Sequence, residues 1–172
     1  MTCNPIAVFV IFTTLSAFAE ESATSPAAWV NSHYGACYAS MEQGMVAVYG
    51  PDYANDDNVL STTNRYDASE MVLSQDTTSG TNSSRTVFEK RTGNRWCIVL
   101  TSPPVASIEP VPGKGKSARP AQWITLTQAP PGFAETKVVY SWSRAKALYL
   151  PSECYRVLGA KTTVLDCRDA YN

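Results

Sequence analysis

The sequence predicts an all-β or β-dominated domain, a single antiparallel sandwich or partly closed barrel held by two disulfides. Three observations carry this. Short runs rich in Val, Ile, Tyr, Trp and Thr recur along the chain, clusters of Gly, Pro and Asn separate them, and four cysteines remain once an N-terminal leader is set aside.

Residues 6–15 (IAVFVIFTTL) are apolar and are followed by Ala17, Phe18 and Ala19, then by Glu20 and Glu21. An apolar stretch ending in a small-x-small site reads as a secretory signal peptide over 1–19. A membrane-spanning helix needs about 20 apolar residues, so this run is too short to serve as a stable anchor. No Lys or Arg precedes it, a departure from the usual pattern, and Cys3 lies in front of the apolar run rather than just after it, where a lipoprotein cysteine belongs. Residues 20–26 (EESATSP) are polar and aperiodic and read as a flexible leader. A single domain over 27–172 follows.

Cys37, Cys97, Cys154 and Cys167 then form an even set in an oxidising compartment, which reads as two bridges. A zinc site is disfavoured, because no two of them form a C-x₂₋₄-C pair and His33 is the single histidine. About 150 residues suffice to bury a core, so the bridges reinforce the fold rather than substitute for one.

Within the domain, residues 29–49 contain Gly35 and Gly44, and Met45, Val46, Val48 and Tyr49 favour a strand closed by a turn at Gly50 and Pro51. Residues 52–65 and 75–85 are rich in Asp, Asn, Ser and Thr and read as loops, flanking an apolar segment at Met71, Val72 and Leu73 that fits either a strand or a helical turn. A β-hairpin is clear. Thr86, Val87 and Phe88 face Trp96, Cys97, Ile98, Val99 and Leu100 across a Gly93-Asn94 turn, with Val87 opposite Leu100 and Phe88 opposite Val99. The run 96–100 is apolar on both faces, so it should be covered on both sides, with Cys97 inside.

Residues 102–121 hold five prolines and Gly113, Lys114, Gly115 and Lys116, and read as one long exposed Pro-rich loop. Strands resume at 123–127 and, after a turn at Pro130, Pro131 and Gly132, at 137–142, where Val138, Tyr140 and Trp142 share a face. At the C-terminus, residues 154–159 and 162–167 pair as a hairpin around Ala160 and Lys161, or Gly159 ends a short helix begun near Ser152. The hairpin register sets Cys154 opposite Cys167 at a Cα separation of about 4.5 Å, within disulfide range. Cys37–Cys97 follows by elimination.

The signals for chemistry are few. His33 precedes Cys37 by four residues, but a bridged cysteine is inert, and a structural or surface histidine is the expected role. G-x-S-x-G, H-E-x-x-H, G-x-x-x-x-G-K-[ST] and G-x-G-x-x-G are all missing from the sequence. Asp56, Asp57, Asp67 and Glu70 are acids for a carboxylate pair. The segment 52–58 fails the EF-hand pattern, with Ala54 at its third position, Asp57 where glycine belongs and Thr63 where the bidentate glutamate belongs. No metal and no cofactor is expected. Asn82, Ser83 and Ser84 form a glycosylation sequon for a eukaryotic source.

Charge is divided along the chain. Residues 20–84 carry nine acidic groups against one basic, Arg65, whereas 85–172 carry thirteen basic against six acidic, within a net charge of −1. The halves either complement each other in the fold or leave one pole to dock an oppositely charged partner. A net charge this small points to no nucleic acid. Prolines restrict the free loop 102–121, so its cationic tip at Lys114 and Lys116, with Arg119 as a further binding residue of the loop, loses less freedom on docking and suits an acidic cleft. These readings converge on a non-enzymatic periplasmic or secreted binding protein, such as an inhibitor or immunity protein acting on an exported enzyme. An accessory subunit of a cell-envelope assembly and a small secreted hydrolase with a carboxylate pair are the alternatives.

Overall fold

A computed structural model describes residues 33–66, 69–77, 80–113 and 119–170. The predicted signal peptide 1–19 and leader 20–26, together with Asp67, Lys114 and Lys116, lie outside the described residues. The chain runs through β1 (Cys37–Tyr38), α1 (Met41–Tyr49), a 3-10 turn at Tyr53–Asn55, β2 (Val59–Tyr66), β3 (Ser69–Asp76), β4 (Ser83–Arg91) and β5 (Arg95–Val105). It continues through β6 (Ser107–Val111), β7 (Gln122–Leu126), β8 (Glu135–Ser143), β9 (Leu148–Leu158) and β10 (Lys161–Leu165). The strands form two antiparallel five-stranded sheets, ordered β1-β5-β4-β3-β2 and β10-β9-β8-β7-β6, that are not closed into a barrel. Of the two predicted architectures, the sandwich is the one adopted, and both predicted bridges, Cys37–Cys97 and Cys154–Cys167, are present.

The core lies between the sheets. Met71, Val87, Cys97, Val99 and Leu100 from the first pack against Trp123, Val138, Tyr140, Tyr149 and Cys154 from the second. Alternation along β4 and β5 sends Phe88, Trp96 and Ile98 to the opposite face of the first sheet, where α1 covers them through Met41, Met45, Val48 and Tyr49. The prediction that 96–100 is covered on both faces therefore holds, and Cys97 is 2 % exposed.

Residues 41–49 form a helix, correcting the strand expected there. Met41, Met45, Val48 and Tyr49 recur at helical spacing, so they share the face that meets the sheet. Ser40 caps the helix by accepting from Gln43 N at 3.2 Å, and Gln43 Oε1 accepts from Ala39 N at 3.2 Å. The β-branched and aromatic residues that suggested a strand are tolerated because packing on the sheet outweighs weak intrinsic propensity.

Polar composition misled in two further places. The segments 52–65 and 75–85, read as loops, contribute β2 and the first residues of β4, and β3 resolves the undecided segment at 71–73 as strand. β2 is an edge strand, where a polar sequence is ordinary. The Pro-rich stretch 102–121 is not one continuous loop either. β5 runs on to Val105, passes through Ala106 and enters the second sheet as β6, which ends at Val111. Pro103 and Pro104 fit because they lie at a bulge between the pairs Arg85–Ser102 and Ser83–Val105, and Pro110 sits on the edge strand β6. The buried Arg85 donates to Ala106 O at 3.2 Å at the crossover between the sheets.

The hairpin registers are also refined. Val87 faces Leu100 as expected, but Phe88 faces Ile98, because Val99 is an extra residue and both Val99 and Leu100 turn into the core. The connecting loop is Thr92–Asn94, with Gly93 and Asn94 at φ of 78° and 62°. At the C-terminus the hairpin forms, but Lys161 pairs with Leu158 and Leu165 with Cys154 around a Gly159-Ala160 turn. Cys167 therefore reaches Cys154 from just beyond the strand, two residues off the expected register.

Candidate functional site

At one end of the sandwich, a cleft of about 760 Å³ opens beside the β4–β5 hairpin and the β8–β9 turn. Strand alternation places Glu89 two residues after the core residue Val87, so its carboxylate points inward and is fully buried. A buried carboxylate needs charged partners to offset its lost hydration. Two guanidiniums supply them. Arg91 Nε donates to Glu89 Oε2 at 3.1 Å, and Arg119 Nη2 lies 2.7 Å from Glu89 Oε1. Arg91 also donates to the carbonyl of Ala147, joining the β4–β5 hairpin to the β8–β9 turn.

The position of Arg119 follows from the core. Tyr149, edge-on to both Trp123 and Trp142, donates from its hydroxyl to Pro120 O at 2.7 Å. This fixes the residue after Arg119, whose guanidinium then lies 4.0 Å from the centroid of the Trp142 ring. Of the three predicted binding residues, Arg119 thus lines the cleft. Lys114 and Lys116 are not described.

Three more cations line the same cleft. Lys90 lies 3.9 Å from Glu70 and 5.8 Å from the Trp96 ring centroid, Arg95 donates to Cys37 O at 3.1 Å, and Arg144 is exposed on the β8–β9 turn. Five basic side chains thus gather around one internal carboxylate. All five belong to the basic stretch 85–172, and Lys90 pairs with Glu70 from the acidic stretch. Cys37 and Cys97 also line the cleft, as directly paired residues of β1 and β5.

Residue order alone gave little sign of this site. Glu89 was not singled out, although an acid alternating with Val87 in an inward-facing strand calls for a buried partner. The acids that were singled out stand elsewhere. Asp56 accepts from Asn58 N and Nδ2 at 2.9 Å, Asp57 lies in the turn before β2, and Glu70 faces Lys90. His33 Nδ1 is 3.0 Å from Tyr38 Oη, and the disulfide takes up Cys37. Asn82 spans the two sheets at the opposite end, donating from Nδ2 to Gln128 O at 2.9 Å and accepting from Gln128 N at 2.8 Å.

Among the described residues, no three His, Cys, Asp or Glu side chains gather as a metal site, and no helix is long and apolar enough to cross a membrane. Comparison with protein-family models, with curated proteins and with solved structures gives no match to this chain.

Proposed function

We propose that the chain is a non-enzymatic periplasmic or secreted binding protein that seats an acidic segment of a protein partner in the cationic cleft. Two disulfides suit an oxidising compartment, and the apolar run 6–15 suits export into one. The observation that carries the reading is the gathering of Lys90, Arg91, Arg95, Arg119 and Arg144 around a single buried carboxylate. Glu89 takes up Arg91 and Arg119 internally and holds them rigid. Lys90, Arg95 and Arg144 at the rim are the groups that meet carboxylates of the partner. An inhibitor or immunity protein for an exported enzyme fits this reading, with Arg119 in the cleft as the described member of the basic loop.

The aromatic rings favour a polypeptide over a nucleic acid. Trp142 carries Arg119 on its ring, and Trp96 is only 8 % exposed beside Lys90, so neither offers an open face for stacking a base.

Titration with a fluorescent polyglutamate peptide tests the reading. Saturable binding should weaken with salt and fall by at least about tenfold in the Arg95→Glu/Arg144→Glu protein, as expected when two close charge pairs are reversed. Lys161→Glu, on the distant edge strand β10, serves as control. Equal affinity of the cleft and control variants would overturn the proposal.

A further inference from the structure

The structure assigns a second property to this cleft: we propose that Cys37–Cys97 is a site of thiol exchange selective for anionic thiols, leaving Cys154–Cys167 as the inert structural bridge. Both sulfur-bearing residues line the cleft that Lys90, Arg91, Arg95, Arg119 and Arg144 surround. Cys37 is half-buried and Cys97 almost wholly buried, so an incoming thiolate meets Cys37 Sγ first. A positive rim raises the local concentration of an anionic attacker and stabilises the thiolate that leaves. The other bridge lacks such a setting. Beside Cys167, Asp166 and Arg168 pair with each other at 3.0 and 3.1 Å, so the neighbouring charges compensate.

The chemistry is ordinary exchange. A thiolate bonds to Cys37 Sγ, the Cys37–Cys97 bond breaks, and its electron pair leaves on Cys97 Sγ, giving a mixed disulfide and a thiolate that takes a proton from water. A second thiolate attacks the outer sulfur of the mixed disulfide and releases Cys37. In total the protein gains two electrons and two small thiols become one disulfide. The co-reactant is a low-molecular-weight or peptide thiol bearing carboxylate or sulfonate groups. Besides the bridge and its two pairs with β5, the two-residue β1 is held by the flanking backbone bonds Gly35 N to Ile98 O at 3.1 Å and Ile98 N to Ala36 O at 2.9 Å, and by the Arg95 bond to Cys37 O. Reduction therefore removes the disulfide that ties the segment carrying α1 to the strand beneath it.

This inference shares the cleft with the binding proposal but needs no protein partner, and its test reads a different quantity. The oxidised protein is treated in parallel with 2-mercaptoethanesulfonate and with cysteamine, quenched by alkylation, and each cysteine is quantified by mass spectrometry. The intrinsic reactivity of each reagent cancels when the rate at Cys37–Cys97 is divided by that at Cys154–Cys167 in the same sample. That ratio should be at least about fivefold larger for the anionic thiol at low salt, should fall towards equality near about 1 M salt, and should drop in Arg144→Glu. The salt series needs no variant, so it stands even if a substitution disturbs folding. A ratio that is the same for both thiols, or insensitive to salt, overturns the assignment. Polyglutamate binding that persists in that case would leave the binding proposal standing.

Discussion

Three residues show how closely single side chains are specified. Gly44 lies within α1, and a Cβ at this position would stand 2.8 Å from Phe88 Cε1 and 3.3 Å from Tyr38 Cδ2. Alanine improves intrinsic helix stability by about 1 kcal/mol, but overpacking against a fully buried ring costs about 1–3 kcal/mol. Gly44→Ala should therefore lower stability by about 1 kcal/mol, and the loss should vanish in a Phe88→Leu background, as chemical denaturation of the four proteins of the cycle would reveal. Glu89 is the second case. Neutralising it leaves Arg91 and Arg119 without their shared countercharge, and removal of one member of a buried ionic group costs about 3 kcal/mol. Urea titration of Glu89→Gln should give a loss of that size, far beyond the effect of Glu153→Gln at an exposed position. Asn82 acts as a substitute for a strand residue, exchanging two hydrogen bonds with Gln128. Its amide nitrogen, the atom a glycan would need, is the one that donates to Gln128 O.

At the scale of elements, the N-terminal layer is pinned by two phenols. Tyr34 donates to the carbonyl of Tyr149 in the second sheet, and Tyr49 Oη shares a hydrogen bond of 2.7 Å with Ser74 Oγ in the first. Burial pushes the pKa of both above the ordinary tyrosine value near 10. In the unfolded chain these phenols ionise near pH 10, whereas in the fold they stay neutral to higher pH. Their contribution is thus fully present below pH 10 and is lost as pH rises towards the folded pKa. Unfolding free energy measured from pH 9 to 12 should fall with a slope that Tyr34→Phe and Tyr49→Phe each reduce; an unchanged slope would remove the phenols as its cause. The same layer marks the limit of what sequence pattern discloses. The strands at 96–100, 122–126 and 135–143 were legible because β-branched and aromatic residues dominate them and Gly or Pro turns bound them. α1 was not, because its residues have mixed propensity and their helical spacing has meaning only against the sheet. β2 was hidden by polar composition, since an edge strand need not be apolar, and β6 by prolines that an edge tolerates. The cleft was less legible still. Arg119 was visible as a cation, but its partner Glu89 is set by strand alternation, and the bulge at Val99 shifts the opposing strand by one residue.

For the whole molecule, the two bridges differ in what they hold. Cys154–Cys167 spans 13 residues and closes one hairpin whose strands already pair. Cys37–Cys97 spans 60 residues, enclosing α1, β2, β3 and β4, so it ties the outer helical layer to the inner strand β5. In the chain-entropy account, closing the longer loop restrains the unfolded state by about 4 kcal/mol and the shorter by about 3 kcal/mol. Native-state consequences widen that difference. Without the C-terminal bridge, β9 and β10 retain their five paired positions, whereas without the other, β1 keeps only two pairs on β5. The Cys37→Ser/Cys97→Ser protein should therefore melt at lower temperature than Cys154→Ser/Cys167→Ser, and hydrogen exchange should accelerate first along α1 while β7 and β8 stay protected. Equal melting temperatures with uniform exchange would mean that the helical layer is held by packing alone. The layer would then remain in place after reduction, and exchange at Cys37 would be a chemical event without a structural consequence.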